Sequence, residues 1–193
     1  IKTYARGFIT QEKVEWQPSG HYQKDSSMPP ILEYRVKITA DVQIPIKKNK
    51  SLGLKAKLSN SVFKNGERAR ITINVTQPSR IAIFNIRADD KVAMIFPNLY
   101  ENKNIIMPGH VFLFPDKDSK VDLEMQTLPG HRRDAEAFFV IALAKEHNRE
   151  FHEIFPYNDI IDFSAFFKTF SDIADYAEDL ILTYEVIKEK EPE

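Results

Sequence analysis

Residues 81–96 read IAIFNIRADDKVAMIF and contain two apolar runs, Ile81 to Ile86 and Val92 to Phe96, on either side of Ala88-Asp89-Asp90. A strand that is apolar at nearly every position is typical of a sheet covered on both faces, because successive side chains point to opposite faces. The acidic residues between the runs favour a turn. The stretch therefore predicts a central β-hairpin, and Ala135 to Ala144, which has the same continuous character, predicts a further core strand.

Alternating segments flank this hairpin. In each of them apolar side chains occupy every second position, which predicts a strand with one buried face. Their apolar positions are Tyr34, Val36, Ile38, Ala40, Val42 and Ile44, then Ile71, Ile73 and Val75, then Val121, Leu123 and Met125. Asn65-Gly66 predicts a tight turn, because these residue types tolerate positive φ angles. Many short strands with turns at this spacing indicate an antiparallel sandwich.

One helix interrupts the β pattern near the C-terminus. Apolar residues recur there at helical spacing, and Asp159 or Asp162 is placed to cap the start. The members of this stripe are Phe163, Phe166, Phe167, Phe170, Ile173 and Ala174. Leu180 to Val186 then alternate as a last strand. The predicted fold is mainly β: an antiparallel β-sandwich, immunoglobulin-like or related, with one amphipathic α-helix near the C-terminus.

Composition argues against several classes of function. The net charge is −1, so the chain has no overall basic face for nucleic acid. The local run Lys47 to Lys57 is more typical of a solvated edge or a linker. The chain has no cysteine, which excludes disulfides, thiolate metal sites and thiol nucleophiles. Its longest apolar run, Ala137 to Ala144, is far shorter than the ~20 residues of a membrane helix, so no membrane span is expected.

Chemistry-bearing motifs are missing as well. The sequence has no Gly-rich phosphate loop, no nucleophile elbow and no His-Glu-x-x-His. His147 and His152 are five residues apart, whereas a helix brings residues four apart onto one face, so an exposed loop is favoured over a metal site. Asp116 to Ser119 starts like a calcium loop but lacks the later Gly and Glu, which favours a polar turn. We therefore predict no catalytic residue, no metal ion and no cofactor.

The loops provide the candidate binding residues. If the strands run up and down in chain order, the loop after Phe96 and the loop after Gln126 fall at the same end of the sheet. Arg and Tyr are enriched where protein interfaces carry binding energy. The predicted recognition surface, for which two solvated neighbouring loops are the alternative, consists of Asn98, Tyr100, His131, Arg132 and Arg133. A crossover that changed the strand directions would separate these loops.

About half of the chain, from Ser59 to Lys145, resembles a known bacterial family. The residues that carry the likeness are Val62 to Glu67, Ile81 to Ile86, Asp90-Lys91-Val92, Ile95-Phe96-Pro97-Asn98, Phe114-Pro115 and Leu128-Pro129-Gly130. In this order and spacing they resemble the family called domain of unknown function 4384. Ser164 to Phe170 is similar to the short aromatic helix that often follows this domain. The charged loop His131 to Asp134 departs from the family pattern.

The resemblance implies an accessory role. Members of this family are commonly modules of multidomain or exported bacterial proteins, beside lipoprotein, kinase or protease segments, and offer no catalytic motif to carry over. We expect one β-rich domain over residues 1–193. Residues 1–50 would form an N-terminal hairpin element packed on it, residues 53–150 the family-like sandwich core, and residues 159–187 the helix and last strand.

The sequence therefore favours a non-catalytic interaction or scaffold module with a protein partner, in the bacterial cell envelope or periplasm. The start at Ile1, with no signal peptide, suggests a trimmed chain or a processed export product. One alternative is a β-sandwich that binds a glycan or peptidoglycan fragment on Trp16, Tyr22 or Tyr100. Another is an unrecognised hydrolase, which requires two convergent carboxylates or a serine beside a histidine. The sequence leaves the oligomeric state open.

Overall fold

The structure, a computed structural model, describes residues 8–43, 51–145 and 147–189 of the chain. It divides into two compact units, Ile1–Pro45 and Ile46–Glu193. Each unit forms its own sheets. That residues 1–50 pack on the main body stays a prediction.

The N-terminal unit is a two-stranded β-ribbon in two sections. Its strands are β1 (Phe8–Trp16), β2 (Gly20–Tyr22), β3 (Ile31–Glu33) and β4 (Val36–Gln43). β1 pairs with β4 and β2 pairs with β3, both antiparallel. Trp16 lies directly opposite Val36, so the two side chains share one face of the ribbon with Ile38. The burial predicted for this face is not observed, because Ile38 is 61% exposed.

The second unit contains the sandwich. Its first strands are β5 (Lys55–Leu58), β6 (Val62–Lys64), β7 (Ile71–Asn74), β8 (Ser79–Ile86), β9 (Lys91–Phe96), β10 (Ile105–Ile106), β11 (Phe112–Phe114) and β12 (Arg133–Ala144). After them come α1 (Phe151–Ile154), β13 (Ile160–Asp162), α2 (Phe163–Ser171), a 3₁₀ turn (Ala174–Tyr176) and β14 (Ala177–Ile187). The predicted mainly β fold with a helix near the C-terminus is confirmed.

Two sheets form the layers of this unit. The larger one has seven strands in the order β13-β9-β8-β12-β14-β6, with β10 also pairing with β8. The smaller one has the order β11-β7-β5. The pairs are antiparallel except for β14 with β6, which run parallel. Lys55 and Lys57 lie on the outer strand β5, whereas Lys47, Lys48 and Lys50 lie outside the described residues.

The central hairpin consists of β8 and β9, as the apolar runs predict. Arg87 and Lys91 close its turn through a backbone hydrogen bond of 2.9 Å, and Asp90 adopts a φ angle of 58°. β8 and β12 pair over eight positions, from Ile86 with Ala137 to Ser79 with Ala144. The three strands therefore form the middle of the larger sheet.

One face of the larger sheet packs against the smaller sheet. Ile81, Ile83, Phe138 and Val140 point to this face because they alternate along β8 and β12. The smaller sheet contributes buried side chains that include Ile71, Ile73 and Phe114 to the same core. The burial of both inner faces makes this unit a two-layer sandwich.

The other face of the larger sheet is covered by α1 and α2. Phe84 and Phe139 project from the sheet and contact Phe166 of α2, with ring centroids 4.8 Å and 5.6 Å away. Phe155, at the end of α1, lies 4.8 Å from the ring of Phe84. This second layer explains why the central strands are apolar at nearly every position, since both of their faces are buried.

The helix start differs in detail from a standard cap. Asp162 occupies the N-cap position, but its side chain makes no capping hydrogen bond. Its carboxylate instead accepts a hydrogen bond of 2.6 Å from Lys91 Nζ. In the part of the chain that the structure describes, no helix has the length and apolar character needed to span a membrane.

The segment 120–126, predicted as a strand, is not one. It makes a single bridge, between Glu124 and Arg68, and its further backbone hydrogen bonds go to the short segment from Gly66 to Ala69. The side-chain alternation still holds, since Met125 is buried in the core. The segment therefore runs antiparallel beside residues 66–69, a partner that is too short to form a ladder.

Candidate functional site

The two loops predicted to form one recognition surface lie at opposite ends of the larger sheet. Phe96, at the end of β9, pairs with Ile83, and Ile83 pairs with Val140. Arg133 begins β12 seven residues before Val140, which is roughly 23 Å along a strand at ~3.3 Å per residue. The loop after Phe96 therefore lies toward the end where β12 finishes. The predicted proximity of Asn98 and Tyr100 to His131, Arg132 and Arg133 is wrong.

The chain does not reverse direction directly after β9. Phe96 pairs with Ile83 of β8, and Ile105 of β10 then pairs with Arg80 of the same strand in the same antiparallel sense. Residues 97–104 are thus an excursion between two collinear strand segments and not a hairpin turn.

The wrong placement comes from a later loop. β11 pairs antiparallel with β7, and Glu124 bridges Arg68, three residues before β7 begins, in the same antiparallel sense, so the chain does not reverse between β11 and the segment 120–126. Counting residues 115–119 as a reversal therefore inverts the predicted direction of the segment 120–126 and of β12.

The excursion is held by Asn98. Its side-chain amide donates to the Ile95 carbonyl at 2.9 Å, and its Oδ1 accepts from the backbone N–H groups of Tyr100 and Glu101, both at 2.9 Å. Glu101 in turn accepts a hydrogen bond from the Ser119 hydroxyl. Asn98 is therefore a structural residue of this loop, whereas the Tyr100 side chain is 69% exposed.

The other loop is tied down at the start of β12. Asp134 is buried and accepts a hydrogen bond of 2.6 Å from the Leu128 N–H, while its other oxygen lies 2.6 Å from His131 Nδ1. The Arg132 carbonyl accepts from the N–H of Lys188 at 2.9 Å. Arg133 forms an ion pair of 2.6 Å with Glu185. His131, Arg132 and Arg133 are exposed side chains on a fixed backbone.

Beside this loop the inner face of the larger sheet turns polar. Asn85 follows Ile83 on the same face, and Glu136 follows Phe138 toward the start of β12. Tyr184 lies directly opposite Glu136 on β14. These side chains form the wall of a pocket of about 300 Å³, which the segment from Leu123 to Pro129 closes on the other side. We call this region, residues 123–134 with the pocket wall, the pocket end.

The wall of the pocket is a hydrogen-bond network around Tyr184. Its hydroxyl lies 2.7 Å from Glu136 Oε2 and 2.8 Å from Asn85 Oδ1. Glu136 Oε1 accepts a longer hydrogen bond of 3.3 Å from the Ala88 N–H. Glu136 is only 8% exposed, and the described residues provide no lysine or arginine in an ion pair with it. A carboxylate is thus held in the sandwich mainly by a phenol and a backbone N–H.

The network predicts an alkaline loss of stability. Burial, followed by the charge of Glu136 and the hydrogen bond to it, raises the pKa of Tyr184 well above its ordinary value of 10.0. Above pH 10 the unfolded chain loses this proton while the folded chain keeps it, so the free energy of unfolding falls as the pH rises. Tyr184→Phe should flatten that decline by up to about 1.4 kcal/mol per pH unit in urea titrations at pH 8 to 11.

The same variant should cost about 1–3 kcal/mol at pH 8, because Glu136 loses its donor. Tyr100→Phe is the control, since that phenol is exposed. An equally steep alkaline decline in Tyr184→Phe and in wild type would contradict the role of Tyr184.

Sequence reasoning missed this site. Glu136 lies inside the segment Ala135 to Ala144, and every other residue of this segment is apolar. A charged residue within a strand buried on both faces is itself a signal, because burying an unpaired charge is costly. Its partners Asn85 and Tyr184 lie 51 and 48 residues away along the chain, so only the strand pairing identifies them.

A smaller cavity of about 130 Å³ lies on the helix-covered face, between Phe84, Phe155 and Ile161, and its wall is mostly apolar. Within residues 8–43, 51–145 and 147–189, no group of three or more His, Asp or Glu side chains is arranged to hold a metal ion.

Comparisons with known proteins show a likeness for one part of the chain. Searches of curated proteins and of solved structures found no match. A family model does match, over residues 62–133, which run from β6 to the first residue of β12. The loop from Leu128 to His131 lies within the matched segment, whereas Glu136, Tyr184 and α2 lie beyond it. That family is Domain of unknown function (DUF4384), so the resemblance read from the sequence is confirmed over residues 62–133.

Proposed function

We propose that this protein is a non-catalytic interaction module that binds a protein partner at the pocket end. The observation that carries the proposal is the pocket itself, a concave site of about 300 Å³ with a buried carboxylate on its wall. A concave site with a few convergent polar groups is suited to receive an anchor side chain of a partner. The exposed side chains of His131 and Arg132 extend from the loop that begins at its rim.

The rigidity of the rim supports this role. Leu128 and Pro129 line the pocket, and the Leu128 N–H is bonded to buried Asp134. Thr127, also on the rim, donates its N–H to Asn65 Oδ1 at 2.8 Å. A rim held by hydrogen bonds loses little conformational entropy on binding, which favours affinity.

The family resemblance supports the context of the proposal. Modules of this family commonly stand in multidomain or exported bacterial proteins, and we propose that this module acts in the bacterial envelope or periplasm. Within the proposal Glu124 and Glu136 are recognition groups. Glu124 accepts a hydrogen bond of 2.7 Å from Gln126 on the rim, and Glu136 is engaged with Tyr184 inside.

Site-specific photo-cross-linking tests the proposal, because the two loops are far apart. p-Benzoylphenylalanine at position 132 reports on the pocket end, and the same residue at position 100 reports on the opposite end. We expect a specific cross-linked protein from bacterial envelope extract with Arg132→p-benzoylphenylalanine and none with Tyr100→p-benzoylphenylalanine. A product only at position 100 would move the interaction to the excursion loop, and no product at position 132 would contradict the proposal.

A second candidate is glycan binding by the N-terminal unit. Trp16 is 75% exposed and Tyr34 is 71% exposed, and exposed aromatic rings are suited to stacking on sugars. Trp16 is the single tryptophan of the chain, so its fluorescence reports on the unit that contains it. A saturable change in Trp16 fluorescence on adding peptidoglycan fragments would favour this candidate over the pocket end.

A further inference from the structure

We infer that the pocket binds a guanidinium group, presented by an arginine side chain of the protein partner. The inference rests on the proposed function and names the chemistry that the partner inserts. Three features of the wall carry it: its charge, the capacity of Glu136 to accept further hydrogen bonds, and its aromatic side chains.

The charge of the lining favours a cation. Two carboxylates, Glu124 and Glu136, line the pocket, together with one cationic residue, Arg87. The guanidinium of Arg87 is already engaged with Asp89, at a distance of 2.9 Å. The charge of Arg87 is thus balanced by Asp89, which does not line the pocket. The negative charge of Glu136 faces a partly enclosed site. An opposite charge in a ligand gains most where water is partly excluded.

The few hydrogen bonds that the Glu136 carboxylate accepts favour a ligand with several N–H groups. Glu136 Oε2 and Asn85 Oδ1 both lie within hydrogen-bond distance of the Tyr184 hydroxyl, which has one proton to donate. Glu136 Oε1 has only the 3.3 Å contact to the Ala88 N–H. This carboxylate oxygen can therefore accept further N–H donors from a ligand. A guanidinium supplies five N–H donors in a planar fork that matches a carboxylate.

The aromatic side chains and the size of the pocket agree with the same ligand. Phe138 and Tyr184 line the pocket and stack with ring centroids 4.6 Å apart and planes inclined by 27°. Guanidinium groups pack favourably on aromatic faces. The volume of about 300 Å³ is at the low end for small-molecule pockets and suits one side chain.

Binding of N-acetyl-L-arginine amide to the full chain tests the inference directly. Its neutral counterpart, N-acetyl-L-citrulline amide, has nearly the same shape but lacks the charge. We expect the arginine probe to shift the backbone amide NMR signals of Asn85, Glu136 and Thr127 at millimolar concentration, with the citrulline probe at least about tenfold weaker. Equal binding of the two probes, or no binding of the arginine probe, would overturn the inference.

Glu136→Gln supplies the matched variant. It keeps the size of the side chain and an acceptor for Tyr184 while removing the charge, so we expect at least about tenfold weaker binding of the arginine probe. Asp122→Asn makes the same change in net charge at a residue outside the pocket lining and should leave binding unchanged. Equal losses of affinity for the arginine probe in both variants would mean that only the net charge of the protein matters, and would refute a local site.

Circular dichroism first establishes that each variant is folded. If Glu136→Gln is unfolded, the NMR titration of the wild-type chain decides. Signal shifts at residues far from Asn85 and Glu136, with none at these two, would refute the site. The cross-linking experiment separates the two proposals. If the arginine probe binds but position 132 captures no protein, the cation site stands and its assignment to an arginine of a protein partner is overturned. If position 132 captures a partner and the probe does not bind, the interaction surface stands without the arginine contact.

Discussion

Phe166→Ala should lower the free energy of unfolding of the second unit by about 3–5 kcal/mol, the usual cost of removing a buried phenylalanine. The Phe166 side chain is completely buried, and its ring lies 4.8 Å from that of Phe84 and 5.3 Å from that of Phe155. Truncation leaves a cavity between α2 and the sheet that neighbouring rings can fill only in part. Urea unfolding followed by circular dichroism measures the change. Tryptophan fluorescence is unsuitable, because Trp16 belongs to the N-terminal unit.

Phe163→Ala is the matched control on the same helix. Phe163 is 41% exposed and contacts Phe167 at 4.7 Å, so its loss should cost less than about 1 kcal/mol. A double-mutant cycle with Phe84→Ala then isolates the contact across the layers, which should exceed about 0.5 kcal/mol. Equal costs for Phe163→Ala and Phe166→Ala would mean that α2 does not cover the sheet as described.

Gly53→Ala should be nearly as damaging, at about 2–5 kcal/mol. Gly53 has a φ angle of 62°, and an added Cβ would lie 2.3 Å from Thr76 Oγ1 and 2.9 Å from Thr76 Cβ. The left-handed conformation costs a non-glycine residue about 1–2 kcal/mol, and the overpacking adds about 1–3 kcal/mol. Thr76 cannot easily move away, because its N–H and hydroxyl both donate to the Leu52 carbonyl, at 2.8 Å and 3.1 Å.

Gly66→Ala separates the two contributions. Gly66 has a φ angle of 88°, but no atom lies within 4 Å of an added Cβ. Only the backbone strain remains, so this variant should lose about 1–2 kcal/mol in the same urea titration. If Gly53→Ala cost no more than Gly66→Ala, the close approach of Thr76 would not matter for stability.

Local patterns predicted the elements whose periodicity is strong. The apolar runs at 81–86 and 92–96 form the central hairpin, and the phenylalanine stripe from Phe163 to Phe170 forms α2. Both predictions succeed because burial imposes its period directly on the side chains. The segment 120–126 has the same alternation and fails as a strand, because a strand also needs a partner of comparable length. Its partner spans only Gly66 to Ala69.

The candidate site depends on direction and pairing, which no local pattern contains. A loop that reverses the chain and an excursion that does not are both polar, proline-containing stretches, so residues 115–119 could not reveal that the segment 120–126 continues the direction of β11. That single unknown moved the loop with His131, Arg132 and Arg133 away from Asn98 and Tyr100.

By itself the sequence determined the mainly β fold, the central hairpin, the aromatic helix and the family likeness of the segment that includes residues 62–133. These features follow from side-chain periodicity and from short motifs, which are properties of neighbouring residues. Only the tertiary structure decided which loops share an end of the sandwich and that Glu136, Tyr184 and Asn85 form one network. The physical reason is that a β-sheet joins residues by hydrogen bonds between strands, and the choice of partner strand depends on the packing of the whole domain.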